Sequence, residues 1–231
     1  MQSFKIYGLS VICCLSLIFS NLRAGNLFAQ QVFHISTSVQ DGYSSDESVE
    51  SSLIIDSDIK FEEAVAGKNI PGNILMNLGL VDVYYYGFDG NLRKGQLIVH
   101  KDVVEEVKEI FQFIKESKFP LNKVIPLSEY NWSDEESMKD NNTSAFNYRF
   151  ISGTRVISKH ASGLAIDINP LLNPYIKNGV STPEGSSYDT TKAGTLTANS
   201  PLVQEFKKKG WKWGGDWKNL KDYQHFEKNL K

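Results

Sequence analysis

Two histidines and two aspartates stand at positions that could build a hydrolytic zinc site. Asp167 follows His160 by seven residues, and His225 lies near the C-terminus, three residues after Asp222. Catalytic zinc takes three nitrogen or oxygen ligands from the protein and keeps a fourth position for water. The sequence therefore predicts one Zn²⁺ ion held by His160, Asp167 and His225, with Asp222 as the carboxylate that accepts a proton from the attacking water.

The residues around Asp167 suggest how such a site is formed. Bulky aliphatic residues alternate with Ala165 and Asp167 in the stretch Leu164-Ala-Ile-Asp-Ile168. This alternation predicts a strand with its aliphatic side chains in the core and Asp167 on the opposite face. Gly163 permits a sharp turn between the two ligands. Each residue also has an ordinary alternative role, since histidines pack structurally and Asp222 or Ser158 could cap a turn.

Longer motifs connect these residues to a known family. They read Ser158-x-His160-x-x-Gly163-x-Ala165-x-Asp167, then Gly210-Trp-x-Trp-Gly-Gly-Asp-Trp217, then Asp222-x-x-His225-Phe226. From about Phe61 to the C-terminus the chain resembles the zinc D-alanyl-D-alanine carboxypeptidases, a family that includes L-alanyl-D-glutamate endopeptidases and shares its fold with the hedgehog signalling domain. The resemblance implies a zinc metallopeptidase that hydrolyses peptidoglycan stem peptides. The alternative is a non-catalytic, zinc-stabilised module that binds cell-wall material or peptides.

The resemblance also implies roles for other residues. Arg149 would bind a substrate carboxylate or stabilise the developing oxyanion, tasks that suit its fixed, charged fork of donors, although it could be an ordinary surface arginine. Ser158 resembles a substrate-contacting serine, with a turn role as the alternative. Asp222 stands where dipeptidases of the family usually carry glutamate, which favours an endopeptidase-like site but leaves carboxypeptidase activity open. Glu227 is expected to support His225.

The N-terminus predicts export. Lys5 precedes the mostly apolar run from Ile6 to Phe19, and small residues follow at Ala24 and Ala29. This pattern is typical of a secretory signal peptide over residues 1–29, cleaved after Ala29 or Ala24, and the run is shorter than the roughly 20 residues that span a bilayer. An uncleaved anchor is the alternative. We therefore expect a periplasmic or extracellular protein with no stable membrane span after processing.

Composition narrows the remaining function classes. The only two cysteines, Cys13 and Cys14, lie in the apolar run, so the mature chain has no disulfide and no catalytic cysteine. The net charge of −2 and the lack of a basic stripe argue against nucleic-acid binding. Residues 30–60 are rich in Ser, Asp and Glu and predict a poorly ordered acidic linker, in which the apolar clusters Val32-Phe33 and Leu53–Ile55 could dock on the domain.

The zinc peptidase domain is expected over residues 61–231. Its predicted class is α+β, with a small antiparallel sheet that carries the zinc ligands and helices packed on one side. The predicted elements are strands over 81–86 and 96–100 around an Asp89-Gly90 turn, a helix over 103–117, a strand near 123–126, and a capped helix from Ser200 to Gly210. The loop that reaches Asn199 is long enough to border a substrate groove, with a solvated connection as the alternative. The tryptophans at 211, 213 and 217 form either core or substrate wall.

Overall fold

The computed structural model describes residues 53–230. Its strands are β1 (Ile54–Ile55), β2 (Leu78–Tyr86), β3 (Leu92–His100), β4 (Lys123–Val124), β5 (Asn142–Thr143), β6 (Ala165–Asp167), β7 (Tyr175–Lys177), β8 (Val180–Thr182), β9 (Lys212–Trp213), β10 (Lys221–Asp222) and β11 (His225–Glu227). Its α-helices are α1 (Phe61–Ala64), α2 (Gly72–Leu75), α3 (Val104–Glu116), α4 (Asp134–Lys139) and α5 (Pro201–Lys208). The predicted signal peptide, its cleavage site and linker residues 30–52 lie outside the described residues.

A long hairpin and one helix form the largest part of the core. β2 and β3 pair antiparallel from Leu78 opposite His100 to Tyr86 opposite Leu92, across the turn predicted at Asp89-Gly90. Amphipathic α3 packs against β2 with its aliphatic and aromatic face fully buried (Val107, Ile110, Phe111 and Ile114). The helix was predicted from the spacing of its apolar residues, and the hairpin from its β-branched and aromatic residues around a turn; both are confirmed.

The described chain begins inside the segment predicted as a linker. β1 pairs parallel with β3, and the amide of Asp56 donates to the carbonyl of Lys94 (2.8 Å). The buried side chain of Gln96 accepts hydrogen bonds from the Ser57 hydroxyl and the Ile59 amide, both at 2.8 Å. Strand structure thus begins upstream of residue 61, where the domain was expected to start, because Ile54 and Ile55 pair with β3.

Two small antiparallel sheets hold three of the residues predicted to do chemistry, Asp167, Asp222 and His225. β11 lies between β6 and β9, and β10 pairs with β7 in a second sheet that also contains β8. The side chains of Ile166 and Ile168 are fully buried, as the alternating pattern predicted. The α+β class with a small ligand-bearing sheet is confirmed.

α5 begins at Pro201 and packs on α3 and β9 through Leu202, Val203 and Phe206. The prediction of a side-chain cap by Ser200 was wrong, because the Ser200 hydroxyl accepts instead from the Thr197 amide (2.8 Å). A helix both long and apolar enough to cross a bilayer is absent from residues 53–230.

Candidate metal centre

Three side chains predicted as ligands meet at one point. His225 on β11 lies directly opposite Asp167 on β6, so strand pairing alone places these two side by side. His160 comes from a 3₁₀ turn, Lys159–Ser162, that leads into β6. The Nε2 atom of His160 lies 3.2 Å from Nδ1 of His225 and 3.3 Å from Oδ2 of Asp167, and His225 Nδ1 lies 2.9 Å from Asp167 Oδ1.

These separations suit a tetrahedral cation. With bonds of roughly 2.0 to 2.2 Å, two ligands of a tetrahedral zinc ion lie roughly 3.3 to 3.6 Å apart. The observed separations of 2.9 to 3.3 Å are at or a few tenths of an ångström below this range. Two imidazole nitrogens and one carboxylate form a donor set that zinc accepts, and all three residues are buried. The side chains therefore fit a zinc ion with only small shifts.

The other nitrogen of each imidazole is held by a neighbouring acceptor. Nδ1 of His160 makes a short hydrogen bond to the backbone carbonyl of Ala145. Nε2 of His225 lies 3.4 Å from the Glu227 carboxylate. Acceptors in these positions select the tautomer that leaves His160 Nε2 and His225 Nδ1 free to bind a metal, and they make each ligand more basic. Glu227 thus lies where it can support His225, as expected, whereas a backbone carbonyl such as that of Ala145 gives no signal in a sequence.

The turn that presents His160 depends on a close backbone approach. Gly163 ends it with φ +68°, and a Cβ atom there would lie 2.5 Å from the His100 amide nitrogen. The amide of His100 also donates to the Gly163 carbonyl (2.9 Å), which ties the turn to the end of β3. Ser158 is buried, and its hydroxyl accepts from the His160 amide (3.2 Å). Ser158 therefore makes the turn-capping contact of its alternative role, and its part in substrate binding stays a prediction.

Asp222 lies in an unusual environment for a carboxylate. Its Oδ1 atom is buried, and none of the described protein groups donates to it. Burial and the charge of Asp167 raise the pKa of Asp222 to about 7, against smaller opposing effects of His225 and His160. A Cβ atom on Gly214 would lie 2.5 Å from the Asp222 carbonyl oxygen, so the Trp-Gly-Gly motif permits this close packing. A carboxyl with a pKa near neutrality can accept and return a proton.

The pKa values of Asp167 and His225 are strongly shifted in opposite directions. Burial alone would raise the pKa of Asp167, but the charge of His160 and hydrogen bonds from His160 and His225 outweigh it and hold the pKa well below its usual range. Burial alone would lower the pKa of His225, but Asp167 and Glu227 raise it to about 10. The ligand cluster therefore carries a proton on His225 that a metal ion must displace.

Arg149 is anchored beside this cluster by a residue that sequence reasoning missed. Its backbone carbonyl accepts from the amide of Ser158 (3.1 Å), two residues before His160. Its Nε forms a close ion pair with Oδ2 of Asp134, the first residue of α4, and Asp134 Oδ1 accepts from the side chain of Asn147 (2.7 Å). Nothing in the local sequence pairs Asp134 with Arg149, because the contact joins the first turn of α4 to a separate loop.

Aromatic residues border the candidate centre. The ring of Trp217 lies 5.5 Å from the ring of His225, whereas Trp211 and Trp213 are buried in the core. The long loop before Asn199 reaches this region too, since Tyr188 stacks on Tyr223 with ring centroids 3.6 Å apart. Trp211 and Trp213 are therefore core residues, whereas the role of Trp217 and of this loop as a substrate wall stays a prediction.

Comparison with known proteins agrees with this geometry. Residues 152–228 match the family model described as D-alanyl-D-alanine carboxypeptidase. This segment is therefore similar to that peptidase family. The match covers about a third of the 231-residue chain and includes all three candidate ligands and Asp222, whereas Arg149 lies just outside it. No solved structure matches the chain.

Proposed function

We propose that this chain is an exported, zinc-dependent metallopeptidase that hydrolyses peptidoglycan stem peptides. The observation that carries the proposal is the convergence of His160 Nε2, Asp167 and His225 Nδ1 to mutual separations of 2.9 to 3.3 Å. The family match supports a peptidase acting on D-alanyl-D-alanine peptides. The apolar N-terminal run, Ile6 to Phe19, supports export.

The roles proposed for individual residues follow from their environments. When bound, zinc would polarise the scissile carbonyl and acidify a water molecule. Asp222 would take the proton of that water at its unpartnered Oδ1 and deliver it to the leaving amine, a task that suits a pKa of about 7. Arg149 would bind an anionic substrate group with the terminal nitrogens of its guanidinium, because its Nε is already engaged by Asp134.

The cleaved bond distinguishes two types of enzyme. A carboxypeptidase releases the terminal D-alanine of a muropeptide, and an endopeptidase cuts between L-alanine and D-glutamate. We would incubate the zinc-loaded protein with purified muropeptides and identify the products by mass spectrometry. The same digest after complete removal of metal by a chelator must show no cleavage, and cleavage that persists without metal refutes zinc dependence.

A single substitution separates an enzyme from a binding module. Asp222→Asn keeps the size of the side chain but removes its capacity to accept a proton, so we expect turnover to fall by about 10² to 10⁴-fold. Zinc content should stay at one ion per chain, because Asp222 is not among the proposed ligands. Asp216→Asn is the matched control, since this nearby carboxylate pairs with Lys207 at the surface (2.7 Å).

The outcomes of this comparison are distinct. Wild-type turnover in the Asp222→Asn protein would exclude Asp222 as the base. A wild-type protein that binds zinc and muropeptides but releases no product would instead identify the non-catalytic module.

A further inference from the structure

The segment between Arg149 and Ser158 is an exposed hairpin with an apolar surface. Phe150 forms an antiparallel bridge with Ile157, and the amide of Ile151 donates to the carbonyl of Val156 (2.8 Å). The turn at Gly153 has φ +73° and is closed by the Thr154 hydroxyl. All eight residues 150–157 are exposed. This segment, called the apolar hairpin below, has no role in the proposed chemistry.

Four large apolar side chains of the hairpin lie in water on both of its faces. Directly opposite residues of an antiparallel pair point to the same side, so Phe150 and Ile157 share one face and Ile151 and Val156 share the other. Their exposed fractions are 53% and 49% on the first face and 46% and 60% on the second. Single exposed apolar residues are ordinary, but four bulky ones within one eight-residue hairpin mark an interaction surface.

Because both faces of the hairpin carry apolar groups, few kinds of partner could cover the whole apolar surface. A bound peptide or a flat protein surface covers one face of a hairpin and leaves the other in water. The interfacial layer of a lipid bilayer surrounds an inserted hairpin and buries both faces at once. Among residues 53–230, about half of the surface of each of these four side chains is left exposed.

The charge of the segment favours an anionic lipid surface. Residues 149–159 contain no Asp or Glu and three cations, of which Arg149 is paired with Asp134, so Arg155 and Lys159 supply the positive charge. Arg155 is exposed near the tip and forms no ion pair with the described residues. Basic residues beside an apolar insertion element add electrostatic attraction to anionic headgroups.

We propose that the apolar hairpin inserts into the interface of an anionic membrane and docks the protein there. This is peripheral binding and differs from a transmembrane span. Because Ser158 follows the hairpin and His160 lies two residues further on, docking would hold the candidate metal centre close to the bilayer surface. The inference does not rest on the proposed function, since binding to vesicles requires no turnover.

The protein is purified after export, and mass spectrometry identifies its N-terminus. Its binding to lipid vesicles is then measured in a flotation assay. Phosphatidylcholine vesicles are compared with vesicles that also contain phosphatidylglycerol. Ile151→Ser/Val156→Ser removes one apolar face, and we expect its partition coefficient on the anionic vesicles to fall at least about tenfold. Met76→Ser/Val180→Ser is the matched control, because these two side chains are 69% and 66% exposed elsewhere on the domain.

The control should bind within about twofold of wild type, and Arg155→Gln should bind a few-fold more weakly, with the effect of this charge reduced by salt. Equal binding by the hairpin variant and wild type, or no binding by wild type, would overturn the proposal. So would a dimer that dissociates in the hairpin variant, which identifies a second copy as the occupant. If the hairpin variant has a raised KM for soluble muropeptides but binds vesicles like wild type, the substrate occupies the hairpin surface instead. If the amides of residues 150–157 are strongly protected from exchange without vesicles, the N-terminal segment occupies it.

Discussion

Replacing Gly163 by alanine tests whether the turn that presents His160 depends on a glycine. Two costs are expected. The left-handed φ of +68° costs an L-residue about 1 to 2 kcal/mol. The new Cβ would also lie 2.5 Å from the His100 amide nitrogen and 2.8 Å from the Val99 carbonyl carbon, and forced overpacking of this kind costs about 1 to 3 kcal/mol. The sum is a loss of about 2 to 5 kcal/mol.

Gly90→Ala is the matched control for the backbone cost. Gly90 has φ +77°, and its Cβ would meet nothing within 4 Å, so only the first cost of about 1 to 2 kcal/mol applies. Both variants would be unfolded in urea with the metal removed, and their midpoints compared at unchanged slope. With a slope of about 2 kcal/mol per M, the extra loss in Gly163→Ala corresponds to a midpoint lower than that of Gly90→Ala by about 0.5 to 1.5 M.

The folded Gly163→Ala protein should also bind zinc more weakly, because the clash displaces the turn that carries His160, whereas Gly90→Ala should keep the wild-type affinity. Competition with a chromogenic chelator measures both affinities. Equal stability losses and equal zinc affinities in the two variants would refute the reasoning, since they would show that the contact with His100 imposes no constraint.

Three further predictions concern the charges of the site. Zinc binding at pH 7.5 should release at least about one proton, because the pKa of His225 is raised to about 10; calorimetry in buffers of different ionisation enthalpy counts the protons, and a value near zero contradicts the shift. Metal-free protein should lose stability as the pH rises from about 4 to 7, because folded Asp222 with a pKa of about 7 keeps a proton that the unfolded chain has released. The urea midpoint should therefore fall with pH across this range in the wild type, and it should depend less on pH in Asp222→Asn. Asp134→Asn should raise KM about tenfold with little change in kcat for substrates with a free carboxylate, because Arg149 loses its charged anchor. Asp140→Asn, which removes a carboxylate that pairs with Lys123, serves as control. The same change in KM with amidated substrates would exclude carboxylate binding by Arg149.

The three candidate ligands that meet in the structure could be picked out from the sequence, because their types and order carry information that needs no coordinates. The alternation around Asp167 was enough to predict a strand with that carboxylate facing away from the core. In the structure this strand pairs with β11 and places Asp167 opposite His225, as a shared metal site would require. The periodicity of α3 and the turn residues of the β2–β3 hairpin were equally readable, because both patterns arise from local geometry.

Contacts between separate loops were decided only by the tertiary structure. The carbonyl of Ala145 that orients His160 is a backbone group present in every residue, so its role depends on where the chain passes. The pairing of Asp134 with Arg149, and the burial that raises the pKa of Asp222, likewise arise from packing between distant segments. Donor types and spacing are properties of the chain, whereas their orientation, burial and proton affinity are properties of the folded environment.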